Sequence, residues 1–123
     1  MPKKILIVED EEITLNLLKR KLTEEGYWVF IARDGEEGLN AIRKILPDLI
    51  LLDILLPKMG GFEVMEEIAK EEELKEIPVI ALSNLGEKEE LEKAKKLGAK
   101  DWIIKAEFDP QKVIGKVIKQ IGK

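Results

Sequence analysis

The chain contains no cysteine and no histidine. Without cysteine there is no disulfide, no thiolate metal site and no cysteine nucleophile. Without histidine, serine–histidine triads, imidazole general bases and histidine-ligated zinc are excluded. Any chemistry must therefore come from carboxylates, hydroxyls, lysines or a bound ion. Long apolar runs are also missing. Leu49 to Leu52 continues at Ile54 to Leu56, but Asp53 interrupts the stretch and it is far too short to cross a bilayer. No cationic, apolar leader opens the chain, so a soluble cytoplasmic protein without a membrane partner is expected. Positive charge is short as well: 21 Lys and Arg stand against 25 Asp and Glu, a net charge of −4. Nucleic acid calls for a basic face that displaces counterions, so it is not expected as a direct partner.

What is present suffices for one globular domain. The 123 residues are 45% hydrophobic and 37% charged, enough core material for a single domain spanning residues 1–123. Lys4 to Val8 is a β-branched apolar run, and Ile13, Leu17, Leu18 and Leu22 follow at helical spacing up to Gly26. Tyr27 to Ala32 is a second strand. Asp34-Gly35 reads as a turn before a helix carrying Leu39, Ile42, Ile45 and Leu46, which Pro47 and Asp48 stop. Leu49 to Leu52 is a continuous apolar strand of the kind buried on both faces of a parallel sheet. A loop with Pro57 and Gly60-Gly61 leads to a helix through Phe62, Met65, Ile68 and Ala69. Pro78 to Leu82 and Trp102 to Ile104 are the remaining strands, separated by a charged helix on Leu91, Ala94 and Leu97 that Gly98 closes. Asp109-Pro110 caps and starts a last helix with a Val113, Val117, Ile121 stripe flanked by Ile114 and Ile118. Strict alternation of strand and helix implies an α/β, doubly wound parallel sheet with helices on both faces and right-handed crossovers.

In such a sheet the ligand site lies beyond the carboxyl ends of the strands. The first strand exits into Glu9 and Asp10, the third into Asp53, the fourth into Ser83 and the fifth into Lys105, all expected at one edge. Three carboxylates gathered there repel one another unless a cation lies between them, and an all-oxygen set suits magnesium. A carboxylate can attack a phosphoryl group to give an aspartyl-phosphate when a metal and a lysine neutralise charge on the phosphoryl oxygens. Lys105 fits as that point charge, and Ser83 can donate a hydrogen bond to a phosphoryl oxygen. Singly, each residue has an ordinary explanation: an acid after a strand is often a helix cap, a serine often turns the chain, a lysine is usually solvated. Asp53 is different, because an unpaired carboxylate in an apolar stretch costs several kcal/mol.

The segments ILIVEDEE, LILLDILLPKMGGFE, PVIALS and GAKDWIIK, in that order, make the chain similar to response-regulator receiver domains, the chemotaxis-regulator-like switches of two-component signalling, over essentially its whole length. The resemblance implies a flavodoxin-like fold of five strands in order 2-1-3-4-5 with five helices. It implies Mg2+ held by Asp10, Asp53 and the backbone carbonyl of Leu55, with Glu9 as the other member of the acidic pair. Asp53 would accept a phosphoryl group from a histidine kinase or a small phosphodonor, with Ser83 and Lys105 assisting. The protein would not be an enzyme beyond its own phosphorylation and dephosphorylation. Ser83 and Trp102 would form the switch and alter the surface of helix four, strand five and helix five, which would meet a downstream protein target. A monomer or weak dimer is implied.

The family pattern is broken at one position of consequence: Ala106 follows Lys105 where proline, joined by a cis bond, is usual. A cis bond before alanine costs roughly 3 kcal/mol, so either a strained cis bond or a trans loop of altered path is expected. That departure motivates the alternative of a receiver-fold interaction module that does not cycle through phosphorylation. An aspartate-nucleophile phosphohydrolase would want a second aspartate where Leu55 stands. A nucleotide-binding domain would want a glycine-rich loop where Glu9-Asp10-Glu11-Glu12 stands, and those charges repel phosphate. Leu55 and Leu85 flank the approach of water to Asp53, so slow self-dephosphorylation is expected.

Overall fold

The computed structural model describes all 123 residues. Its strands are β1 (Lys4–Val8), β2 (Trp28–Ala32), β3 (Leu49–Asp53), β4 (Val79–Ser83) and β5 (Asp101–Ile104). Its helices are α1 (Glu12–Glu24), α2 (Gly35–Ile45), α3 (Gly61–Lys70), α4 (Lys88–Lys96) and α5 (Pro110–Ile121), with a short 3-10 turn over Lys105–Glu107. All pairings are parallel and the strand order is β2-β1-β3-β4-β5, the order the resemblance implies.

Alternation along each strand divides the core into two layers. Ile5, Ile7, Leu49 and Leu51 pack with Leu15, Leu18 and Leu22 of α1 and with Val113 and Val117 of α5. Leu6, Val8, Ile50 and Leu52 pack on the opposite face with Leu39 and Ile42 of α2, Val64, Met65 and Ile68 of α3, and Ala94 of α4. β1 and β3 are apolar on both faces because both faces are covered. Their fully buried aliphatic side chains, each stabilising by about 1.5–3 kcal/mol, hold the strand exits in fixed positions.

Several local expectations are corrected. Asp34-Gly35 is no free turn: the Asp34 side chain accepts from the Glu37 N–H at 2.8 Å and caps α2, and Gly35 is its first residue. Tyr27 lies just before β2, its hydroxyl donating to the Gly122 carbonyl at 2.7 Å. In α1 the buried stripe is Leu15, Leu18 and Leu22, whereas Ile13 is 80% exposed. Leu46 ends α2 as a left-handed cap and is exposed.

Candidate functional site

Strand parity decides which exits meet. Glu9 is two residues past Ile7, Asp53 two past Leu51 and Lys105 two past Ile103, so all three carry the parity of the α1/α5 layer. The Glu9 N–H extends the β1 ladder by donating to the Ala32 carbonyl at 3.0 Å, and the Ile54 N–H extends β3 by donating to Leu82 at 3.1 Å. Ser83 and Trp102 share the parity of Ala81, which belongs to the α2/α3/α4 layer.

Lys105 is the hub. Its Nζ lies 2.8 Å from Asp53 Oδ2, 2.9 Å from Glu11 Oε1 and 2.5 Å from Glu9 Oε1. The other Asp53 oxygen, Oδ1, accepts the Leu55 N–H at 3.0 Å, and Glu9 Oε2 accepts the Glu11 N–H at 3.1 Å. Glu9 and Asp53 are 0% and 3% exposed, which leaves little water to solvate them, while Asp10 is exposed. Glu9 Oε1 is enclosed and meets Lys105 only as a charge, without a hydrogen bond of good geometry. Burial, together with the neighbouring Asp53 carboxylate, pushes the Glu9 carboxyl up to about 7 against the pull of Lys105. Burial alone would lower Lys105, but its contacts with the carboxylates of Asp53, Glu9 and Glu11 outweigh this and hold the ammonium above the usual lysine range. Glu9, Asp10 and Asp53 offer carboxylate oxygens that all lie within 4.8 Å of one another. A set of oxygen donors this close, one of them buried and lacking a hydrogen-bond donor, is chemically suited to a hard divalent cation.

Not every expected residue joins this group. Ser83 is buried, but its hydroxyl donates to Glu90 Oε1 on α4 at 2.9 Å and accepts the Gly86 N–H at 3.1 Å. Trp102 is half-buried against the α2/α3/α4 layer. Leu55 meets Asp53 through its N–H, and its side chain is 57% exposed. The Lys105–Ala106 bond is trans, as is every peptide bond in the chain. Ala106 lies in the 3-10 turn and its N–H donates to the Asn84 carbonyl at 3.1 Å, which ties the exits of β4 and β5 together. Lys105 reaches Asp53 along this trans path, so proline is not required to bring the ammonium to the carboxylate. Two residues were not anticipated. Glu11 was legible only as part of an acidic run, and Glu90 gives no sequence signal, since it is one of many charges on α4.

The loop between β3 and α3 is held by close backbone approaches. A Cβ on Gly61 would lie 2.2 Å from the Asp53 carbonyl oxygen, and one on Gly35 would lie 1.8 Å from the Met59 carbonyl oxygen. Glycine is therefore required at position 61 for α3 to start against the end of β3, and at position 35 for the loop to rest against the start of α2.

The family model for the response regulator receiver domain matches residues 5–118. The chain belongs to that family. It is 37% identical over 114 residues to a probable transcriptional regulator, ycf27, of Guillardia theta, covering 93% of this chain and 43% of that protein. The chain thus spans about half the length of several of the curated relatives it matches. A putative response regulator from Chloroflexus aurantiacus is similar in structure, with a TM-score of 0.94, 30% identity and full coverage of both chains. So is the receiver domain of a sensor histidine kinase from Pseudomonas aeruginosa, at a TM-score of 0.90 and 26% identity over the whole of both chains; that domain has a magnesium ion coordinated in its active-site cleft. This receiver domain accordingly belongs with the response regulators of two-component signalling, a family that generally binds Mg2+ in an acidic cleft.

Proposed function

We propose that residues 1–123 form one receiver domain that works as a phospho-acceptor switch, with Asp53 taking a phosphoryl group from a histidine kinase. The observation that carries this reading is the setting of Asp53. It is a buried carboxylate with one oxygen held by the Leu55 N–H and the other by the Lys105 ammonium, beside the acids Glu9 and Asp10. A carboxylate oxygen forms the new O–P bond as the phosphohistidine N–P bond breaks, and the imidazole departs with the bonding pair. Lys105 stands where negative charge accumulates on the phosphoryl oxygens and stabilises it without reorganisation. The Leu55 N–H fixes the rotamer of Asp53, so the attacking atom is placed in advance.

Glu9, Asp10 and Asp53, with the carbonyl of Leu55, would hold Mg2+. When bound, the ion neutralises charge on the phosphoryl oxygens during transfer. Ser83 and Trp102, both on the α4 side of the sheet, would relay the change to the face made by α4, β5 and α5, where a downstream protein would bind. The protein would act in the cytoplasm as a monomer or weak dimer.

The test is incubation with acetyl phosphate with and without Mg2+, read by intact mass beside Asp53→Asn. The expected result is a magnesium-dependent gain of one phosphoryl group that the variant lacks. The second reading, an interaction module that does not cycle, draws on the trans bond at Ala106. It predicts no adduct and no response to beryllofluoride. The 2.8 Å contact between Lys105 and Asp53 favours the first reading.

A further inference from the structure

The Ser83 hydroxyl has one proton to donate, and in this structure Glu90 holds it. Ser83 ends β4 with its side chain on the α4 side of the sheet, where its Oγ donates to Glu90 Oε1 at 2.9 Å. Glu90 lies in the first turn of α4 and is half-buried. The Gly86 N–H donates to the same Oγ at 3.1 Å, so one acceptor position of the hydroxyl is also taken. Gly86 itself has a φ of 70°, and a Cβ there would lie 2.5 Å from the Ile104 side chain. The loop from Ser83 to Gly86 is thus pressed onto β5, and it presents the hydroxyl to α4.

A phosphoryl group carries only acceptor oxygens, so Ser83 can assist it only by donating that same proton. The two bonds exclude each other. When Ser83 turns to a phosphoryl oxygen, Glu90 loses its donor and faces the hydroxyl as an unpaired carboxylate, close to a site that has gained negative charge. Both effects drive Glu90 outward, and the first turn of α4 is the element that carries it.

We propose that Glu90 is a latch. By accepting the Ser83 proton it holds the unphosphorylated arrangement, and its release couples Asp53 chemistry to the position of α4. This rests on the phospho-acceptor reading and makes Glu90 a positioning residue that acts through Ser83. The latch is a competition for one proton, so it predicts that removing Glu90 favours the phosphoryl-bound state. A residue that merely supported α4 would weaken that state when removed.

The experiment is a beryllofluoride titration with saturating Mg2+, beryllofluoride standing in for the phosphoryl group, on wild type, Glu90→Ala, Ser83→Ala and the double variant. A hydrogen bond to a charged acceptor is among the stronger kind, so Glu90→Ala is expected to tighten apparent beryllofluoride binding about tenfold, equivalent to about 1.4 kcal/mol. In the Ser83→Ala background the same change is expected to have no effect. Alanine favours the helix at this position, so loss of α4 does not confuse the result. Unchanged or weaker binding by Glu90→Ala, or an equal gain without Ser83, overturns the latch and leaves Asp53 as acceptor. Failure of the wild-type protein to bind beryllofluoride overturns the phospho-acceptor reading and the latch with it.

Discussion

Glu9→Gln is expected to stabilise the metal-free protein at pH 8. Glu9 is fully enclosed and its carboxyl is raised from 4.5 to about 7, chiefly by burial. The folded state therefore holds the Glu9 proton more tightly than the unfolded state does. Between pH 4.5 and about 7 the folded protein binds more protons, so stability falls as pH rises through that window. The contribution is fully present below 4.5 and is lost above about 7. At about 1.4 kcal/mol for each tenfold change in proton affinity, the shift corresponds to roughly 3 kcal/mol. The open side at Asp10 lets solvent screen part of this, so about 1–3 kcal/mol is expected. Glutamine keeps the shape and the acceptor for the Glu11 N–H and has no charge to desolvate.

The assay is urea unfolding in chelator at half-unit steps from pH 5 to pH 8.5, for both proteins. The two proteins differ only at Glu9, so the difference between the curves isolates it. The variant should match the wild type near pH 5 and exceed it progressively up to about pH 8. Added Mg2+ should narrow or reverse the order, because the ion would bind more tightly to the protein that keeps the Glu9 carboxylate. A difference that does not change with pH, or a variant less stable at pH 8, would refute the argument that Glu9 is held against its preferred charge state.

Lys105→Met leaves Glu9 and Asp53 buried without their shared ammonium. It is expected to cost about 3 kcal/mol in metal-free urea unfolding at pH 8, with part of the loss recovered at pH 5 where Glu9 is protonated; an equal loss at both pH values would argue against a charge origin. Gly35→Ala places a Cβ 1.8 Å from the Met59 carbonyl oxygen, which must push the β3–α3 loop off the start of α2. A loss of roughly 2–4 kcal/mol and slower phosphorylation by acetyl phosphate are expected, and an unchanged rate would show that the loop's position does not matter to Asp53. The exposed side chains Leu55 and Leu85 offer no polar group to orient an attacking water, so the phosphorylated protein should survive for minutes or longer in a chase followed by intact mass. A lifetime of seconds would contradict this.

The sheet and most of the acidic site were legible because they depend on period and position alone. β1 and β3 read as buried strands from unbroken aliphatic runs, and strand exits in a parallel sheet can converge on only one edge. The core-facing side of α1 was not legible, because its sequence carries two apolar stripes. Ile13 with Leu17 competes with Leu15, Leu18 and Leu22, and only the position of the sheet selects the second. Leu46 failed for a similar reason: hydrophobicity placed it on a helix that Pro47 had already forced to end. The aim of Ser83 was available in principle. Counting parity from Leu82 puts it on the face opposite Asp53, but its partner there, one glutamate among many charges on α4, emerges only in the folded structure.

Charge explains why the site suits a switch. Glu9, Glu11 and Asp53 meet the single ammonium of Lys105, with Asp10 close to Glu9 and Asp53, and burial holds the Glu9 carboxyl up at about 7. The metal-free cluster is therefore under-neutralised, and a divalent cation relieves it most where carboxylates outnumber donors, at Glu9, Asp10 and Asp53. If Asp53 takes a phosphoryl group as proposed, its bond to Lys105 would pass to a phosphoryl oxygen without moving the lysine, because the ammonium already meets Glu9 and Glu11. The groups on the α1/α5 side of the sheet can thus stay nearly still through the chemistry. Under the proposed latch, what would move is on the other face, where the Ser83 hydroxyl donates to Glu90 of α4. In the proposed switch, an acidic site on one strand parity joined to a serine on the other would turn a local change of charge into displacement of a single helix.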